Sequence, residues 1–122
     1  MLQLRSIIKA ADNCGAKKLQ VIHIYTGHHH KSGTIGDIVL AVVKEAIPSG
    51  IVKKKEKVKL VIVRTKKEIG RKDGSFIRFS DNAGVIIDNQ NNPRGTRIFG
   101  PIAREIKDLG FSKIASMAKE VY

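Results

Sequence analysis

The chain has 122 residues, which suffices for one compact domain with a hydrophobic core and is too short for two full-sized domains. Its 23 Lys and Arg residues against 11 Asp and Glu residues leave a formal charge of +12 and a pI near 10.1. Apolar residues make up 42% of the chain, so this charge belongs to a folded body rather than to a disordered tail. A domain of this charge is expected to bind a polyanion.

Several classes of protein are disfavoured at once. No apolar run reaches the length of a membrane-spanning helix, and no basic amphipathic helix stands out, so we expect nucleic acid rather than a membrane. The N-terminus, Met1–Ile8, lacks the apolar stretch and cleavage site of a secretory signal. Cys14 is the only cysteine, which excludes an internal disulfide. We therefore expect an intracellular protein, and we predict no cofactor.

The first half of the chain has the pattern of short strands separated by turns that contain glycine. Branched apolar residues dominate three predicted strands, at Ser6–Ala11, Leu19–Tyr25 and Asp37–Lys44. A fourth strand, Val58–Thr65, alternates so that Val58, Leu60 and Ile62 lie on one face and Lys59, Val61 and Val63 on the other.

Further strands follow this fourth one. Asp73-Gly74 indicates a hairpin turn between residues 65–69 and 75–79, and a sixth apolar run covers Gly84–Asp88. Many short strands at this spacing favour a small closed barrel.

After a polar, turn-forming stretch at Asn89–Pro93 the β pattern gives way to two short helices. Pro101 suits the first turn of a helix, Ile102, Ile106 and Leu109 recur at near-helical spacing, and Gly110 fits just past the end. A second helix is predicted over Ser112–Ala118. Both helices are expected to dock on the barrel as an extension.

The basic residues concentrate between residues 53 and 72, where the chain carries Lys53–Lys55, Lys57, Lys59, Arg64, Lys66, Lys67, Arg71 and Lys72. If antiparallel strands bring these side chains side by side, they form one positive ridge that neutralises several phosphates. The alternative is a solvated face that serves only solubility. We favour the ridge, because solubility requires mixed signs rather than an excess of one sign.

A second basic cluster contains Arg94, Thr96, Arg97 and Arg104 among Pro93, Gly95 and Gly100. Glycine lets a backbone approach a phosphate closely, so this segment resembles a docking loop. The alternative is a turn whose arginines pair with Glu105 and Asp108.

Other chemistries are weakly supported. His28–His30 invites a metal site, but neighbouring side chains on an extended turn diverge and a structural zinc needs four convergent ligands. Cys14 beside Gly15, with histidines nearby in the sequence, could be imagined as a nucleophile and its base, but proximity in sequence says little about a catalytic contact. Aromatic residues are only 5% of the chain and could mostly be claimed by the core, so we expect recognition by shape and phosphate rather than by base stacking. No enzyme is predicted.

Five segments in chain order closely resemble the ribosomal protein L-fourteen family of the large subunit: 11–16 (ADNCGA), 35–37 (IGD), 43–48 (VKEAIP), 63–67 (VRTKK) and 93–105 (PRGTRIFGPIARE). The resemblance runs from end to end. It implies a mainly β fold, a small five-stranded β-barrel with a projecting β-ribbon and a short helical C-terminal extension. The expected single domain is 1–122, with the barrel and ribbon in about 1–88 and the loop and helices in about 93–122.

The resemblance also implies partners. Family members bind large-subunit (23S-type) rRNA, touch small-subunit rRNA in an intersubunit bridge and lie beside large-subunit proteins three and nineteen. They are also the docking site of a ribosome silencing factor, which blocks subunit joining. The expected place is the ribosome in the cytoplasm, or in an organelle if the gene is plastid or mitochondrial.

Site residues carry over onto matching or basic positions of this chain. For the silencing factor they are Thr96, Arg97 and Lys113. For RNA binding the expected residues are Lys44, Lys53, Lys54, Arg64, Lys66, Lys67, Arg71, Arg78, Arg94 and Arg104.

The chain departs from the family pattern at Lys55, where a glycine is typical, and in its histidine-rich segment before Gly33. Because a non-Gly residue rarely adopts a positive φ, we expect the turn at Lys55 to differ.

Overall fold

The computed structural model describes residues 2–25 and 32–122, in which nine strands and two short helices form. The strands are β1 (Leu2–Gln3), β2 (Ile7–Ala10), β3 (Ala16–Ile24), β4 (Ser32–Gly33), β5 (Ile38–Ala46), β6 (Lys57–Arg64), β7 (Ile69–Gly70), β8 (Phe76–Ile77) and β9 (Ala83–Ile87), and the helices are α1 (Glu105–Asp108) and α2 (Ser112–Met117). No helix in these two ranges is long and apolar enough to cross a membrane.

Five of the strands close into a barrel in the order β2, β3, β5, β6, β9. Neighbouring strands are antiparallel, except that β2 and β9 close the barrel in parallel, with Lys9 opposite Ala83 and Ala10 opposite Gly84. Closure leaves these strands with few unpaired backbone groups along their edges. The predicted small closed barrel, and the five strands that the family resemblance implies, are confirmed.

The barrel interior is filled by every second residue of its strands, as the alternation in β6 predicts. The largest fully buried side chains of this interior core are Leu2, Ile8, Leu19, Ile24, Leu60, Ile62 and Ile86. At one point the backbone itself must come close: a Cβ on Gly84 would collide with the side chain of Leu60. A larger residue at this position would force Leu60 out of its place in the interior core.

A second apolar core lies outside the barrel, on the outer face of β6 and β9. Val61, Val63 and Val85, which point away from the interior, pack in one cluster with Ile102 and Ile106 of the C-terminal segment. This explains why β6 and β9 are apolar on both faces, whereas the outer face of β3 carries Lys18 and His23. The C-terminal extension thus docks on the barrel, as predicted.

The first C-terminal helix is shorter than its pattern suggests. Ile102 does not belong to a helix but forms a parallel bridge with Val121, so the prediction that the helix begins at Pro101 is wrong. Leu109, predicted to lie on the apolar face, is 59% exposed. Gly110 has φ 96° just past α1, as predicted, and α2 matches its predicted range within one residue.

The hairpin predicted at Asp73-Gly74 also forms, but its strands β7 and β8 contain only two residues each. They make a two-stranded sheet separate from the barrel, which is the projecting ribbon that the resemblance implies. At Lys55 the expectation of a different turn is wrong: the lysine itself adopts φ 70°.

Truncation of Ile106 tests the second core. Because this side chain is fully buried, we expect Ile106→Ala to lower the free energy of unfolding by about 2 to 5 kcal/mol. Leu4→Ala, which truncates a side chain that is 53% exposed, should change it by less than about 0.5 kcal/mol. Urea denaturation of the full chain measures both, and equal effects would contradict a packed outer core.

Candidate nucleic-acid interface

Of the cations that were predicted as one ridge, Lys53–Lys55 precede β6 and Lys66 and Lys67 follow it, while Lys57, Lys59 and Arg64 lie on β6 itself and Arg71 and Lys72 on the ribbon turn. An extended strand of eight residues spans roughly 23 Å, so the lysines before β6 and those after it are not side by side. The predicted single ridge is therefore wrong. We call Lys44, Lys53, Lys54 and Lys55 the lysine cluster, and Lys66, Lys67 and Arg78 the hairpin cluster.

The lysine cluster is gathered by backbone hydrogen bonds between the end of β5 and the loop before β6. Val43 donates to the carbonyl of Glu56 at 2.9 Å and accepts from the amide of Lys55 at 2.8 Å, which brings Lys44 beside the loop lysines. All four lysines are exposed. Lys55 itself has φ 70°, in the left-handed region.

The hairpin cluster is held where the chain enters and leaves the ribbon. Lys66 N donates to Asn82 Oδ1 at 2.8 Å, and Phe79 N donates to the carbonyl of Thr65 at 2.9 Å, so the two segments run side by side. Lys66 and Arg78 line one open groove. The two cationic side chains can therefore contact one stretch of a polyanion.

Arg64, predicted to bind RNA, is buried and has a structural role. Its Nε lies 2.9 Å from Asp81 Oδ1, and its NH1 donates to the carbonyls of Phe99 and Pro101 at 2.8 and 3.1 Å. The guanidinium thus joins β6 to the C-terminal segment. Gly100 has φ 80°, and a Cβ there would collide with this guanidinium. We therefore leave Arg64 out of the cationic surface.

Two more of the predicted arginines are partly covered. Arg71 Nε lies 2.7 Å from Glu105 Oε1, an ion pair that ties the ribbon to α1. Arg94 NH1 lies 3.7 Å from Glu56 Oε2. The alternative to a docking loop was a turn whose arginines pair with Glu105 and Asp108. Glu105 instead pairs with Arg71 of the ribbon. Arg104 is exposed.

Thr96 and Arg97 sit on a loop that Asn13 holds in place. Asn13 Oδ1 accepts from the amides of Thr96 and Arg97 at 2.8 and 3.1 Å, and Asn13 Nδ2 donates to Thr96 Oγ1 at 2.8 Å. The close approach requires Gly95, since a Cβ there would lie 2.6 Å from Asn13 Oδ1. The exposed Arg97 side chain is therefore presented on a fixed backbone.

This loop forms one wall of a groove of about 500 Å³, and the opposite wall comes from the chain's end. We call it the C-terminal groove; Thr96, Arg97, Phe99, Met117 and Lys119 are among its lining residues. Lys113 precedes Met117 by one turn of α2 and so shares its side of the helix. Phe99, Met117 and Lys119 have no signal in the sequence that marks them as site residues, because their grouping depends on how α2 packs.

The cysteine has no features of a nucleophile. Burial, followed by the neighbouring Asp12 carboxylate, raises the pKa of the Cys14 thiol to about 12, so it stays protonated at neutral pH. Cys14 Sγ donates to Asp12 Oδ2 at 3.3 Å, and the same oxygen accepts from the amide of Ile86 at 3.0 Å. Asp12 thus joins the loop between β2 and β3 to β9, and Cys14 bonds to Asp12 within that loop.

Burial also raises the pKa of Asp12, although its hydrogen bonds from Cys14 and Ile86 oppose the shift. A folded-state pKa above the unfolded value means that Asp12 favours folding most at pH below its unfolded pKa. That contribution is lost as the pH rises through the folded-state pKa.

The aromatic residues are placed differently from the prediction. Phe76 is 72% exposed, Tyr122 56%, Phe99 54% and Tyr25 39%, so most of the aromatic side chains are not buried in a core. Only Phe79 and Phe111 pack partly against the outer core. The proposed metal ligands His28–His30 lie outside the described residues.

A small closed barrel with exposed cations at both ends of one strand defines a basic β-barrel protein suited to a polyanion. The family model for ribosomal protein L14p/L23e matches residues 1–122. The chain is also 57% identical over 122 residues to the large ribosomal subunit protein uL14 of Petrotoga mobilis, with 100% of both chains covered. The chain therefore belongs to the L14p/L23e family, as a bacterial-type member, and is a structural, non-enzymatic protein of the large ribosomal subunit.

Replacing Asn13 tests the fixed loop. Asn13→Ala removes three hydrogen bonds, so we expect the amides of Thr96 and Arg97 to exchange with solvent roughly tenfold faster or more. Asn13→Asp keeps the accepting oxygen and should retain most of the protection. Hydrogen exchange followed by NMR measures both, and unchanged rates in Asn13→Ala would show that the loop is held by other contacts.

Proposed function

We propose that this ribosomal protein binds large-subunit rRNA through the lysine cluster, the hairpin cluster and Arg104. One observation carries the proposal: seven of the ten predicted cations are exposed, and none of the seven forms an ion pair with a carboxylate of the described residues. They are Lys44, Lys53, Lys54, Lys66, Lys67, Arg78 and Arg104. Cations free of carboxylates remain available to phosphates.

The mechanism is electrostatic positioning. Each lysine or arginine that meets a phosphate releases a counterion, while the barrel holds the two clusters at opposite ends of β6. Phosphate contacts of this kind set register and orientation on the RNA. The outer core supports the further proposal that residues 1–122 act as one domain, since it joins the C-terminal segment to the barrel.

We also propose that the C-terminal groove contributes to an intersubunit bridge with small-subunit rRNA and is the docking site of the silencing factor. Arg97 and Lys119 supply positive charge there, and exposed Phe99 supplies an apolar contact. Small-subunit rRNA and the silencing factor would then compete for the same surface. A bound factor would therefore block subunit joining.

Large-subunit proteins three and nineteen are proposed as neighbours. Leu4 and Ile7, at 53% and 51% exposed, and Ile22, at 37%, provide apolar surface near β2 and β3. This side of the barrel suits protein contact better than the two cationic clusters do.

The salt dependence of binding tests the RNA proposal. We expect Lys66→Gln to weaken the affinity for purified large-subunit rRNA and to lower the slope of log K against log salt concentration by about 1. Lys107→Gln, which neutralises an exposed lysine of α1 outside both clusters, should leave the slope unchanged. Filter binding at several salt concentrations measures both variants. Equal slopes for wild type and Lys66→Gln would remove the hairpin cluster from the interface.

Charge reversal tests the groove. Arg97→Glu combined with Lys113→Glu should abolish retention of the silencing factor in a pull-down, because two exposed cations become repulsive to the acidic groups that they would pair with. Lys107→Glu reverses one exposed charge on α1 and should retain the factor. Undiminished retention by the double variant would refute the docking site.

A further inference from the structure

Phe76 stands out as an aromatic side chain that neither core uses. It is the most exposed large apolar residue of those described, at 72%, and it lies at the start of β8 on the projecting ribbon. Its ring rests beside Gly70 of the paired strand, where a Cβ would be only 3.4 Å from ring carbon Cε1. Glycine thus supports one side of the ring and leaves the rest open.

The ribbon that carries this ring is held firmly. Asp73 Oδ1 accepts from Ser75 N and Ser75 Oγ at 3.0 and 2.6 Å, and Arg71 N donates to the carbonyl of Ser75 at 2.8 Å. Arg71, the first residue of the turn, also pairs with Glu105 of α1. A backbone that is ordered before binding loses little conformational entropy when a ligand docks on it.

The charges around the ring indicate what it contacts. Phe76, Ile77, Arg78 and Glu68 line an open groove of about 490 Å³, and Arg78 continues into the neighbouring groove that Lys66 also lines. Cations on one side suit phosphates, whereas the Glu68 carboxylate on the first groove repels them. An RNA strand would therefore place its backbone at Arg78 and Lys66 and its base over Phe76.

We propose that Phe76 is a stacking platform for one unpaired nucleobase of rRNA, with Arg78 and Lys66 holding the adjoining phosphates. The proposal rests on the RNA-binding function above and adds a contact to a base. An exposed ring flanked by cations is the arrangement by which proteins hold unpaired bases without strict sequence preference. A peptide partner would require a wider apolar surface than one ring and Ile77 provide.

A hairpin RNA with a single bulged 2-aminopurine is a suitable probe, because stacking quenches its fluorescence. We expect the full chain to quench the probe, Phe76→Tyr to quench it equally, and Phe76→Leu to lose most of the quenching. Phe76→Leu should also bind about 5- to 150-fold more weakly. Tyr122→Leu removes another exposed aromatic ring, outside the ribbon, and should behave as wild type.

A matched RNA with an abasic site at the bulge separates stacking from charge. Wild type and Phe76→Leu should bind it equally and with the same salt slope. If Phe76→Leu quenches and binds the 2-aminopurine RNA as wild type does, with the salt slope retained, the stacking platform is refuted and phosphate binding stands. If wild type itself fails to bind either RNA even at low salt, both proposals fall.

A defect of Phe76→Leu confined to co-sedimentation with purified large subunits, with unchanged binding of both RNAs, would assign the ring to a protein contact and overturn the proposal.

Discussion

Burial of β6 and β9 on both faces is the constraint on which the rest of the molecule depends. Inside the barrel Leu60 and Ile62 pack in the interior core, and outside it Val61 and Val63 require a second apolar cover. The C-terminal segment supplies that cover, and in doing so it brings the loop at residues 94–101 against the loop between β2 and β3. The C-terminal groove exists because this packing leaves a gap between Thr96 and Met117.

Polar groups fix the contact that apolar packing begins. The Arg64 guanidinium reaches two carbonyls of the C-terminal segment, and Asn13 holds two of its amides. Because these groups are directional, they determine which side chains of the loop turn outward, as a purely apolar contact would not. Arg97 is therefore exposed by the same contacts that hold its backbone.

Much of the barrel could be predicted from the sequence, because alternation with a period of two is a local signal. The alternation in Val58–Ile62 predicts which side chains lie on each face of the strand. Asp73-Gly74 predicts the turn of the hairpin without information on tertiary contacts. The helix at Pro101 was predicted too long for the opposite reason: a tertiary bridge to Val121 holds Ile102 in an extended conformation. The spacing of apolar residues along the sequence cannot predict that Ile102 pairs with Val121.

The candidate site was harder to predict than the fold, since charge and aromaticity do not reveal burial. Arg64 and Lys66 look alike in composition, yet one is enclosed beside Asp81 and the other faces solvent. Phe76 and Phe79 lie three residues apart, and only Phe79 reaches the outer core. The sequence therefore predicts that the chain binds a polyanion. Which cations and rings are exposed depends on the distant segments that cover some side chains and leave others open.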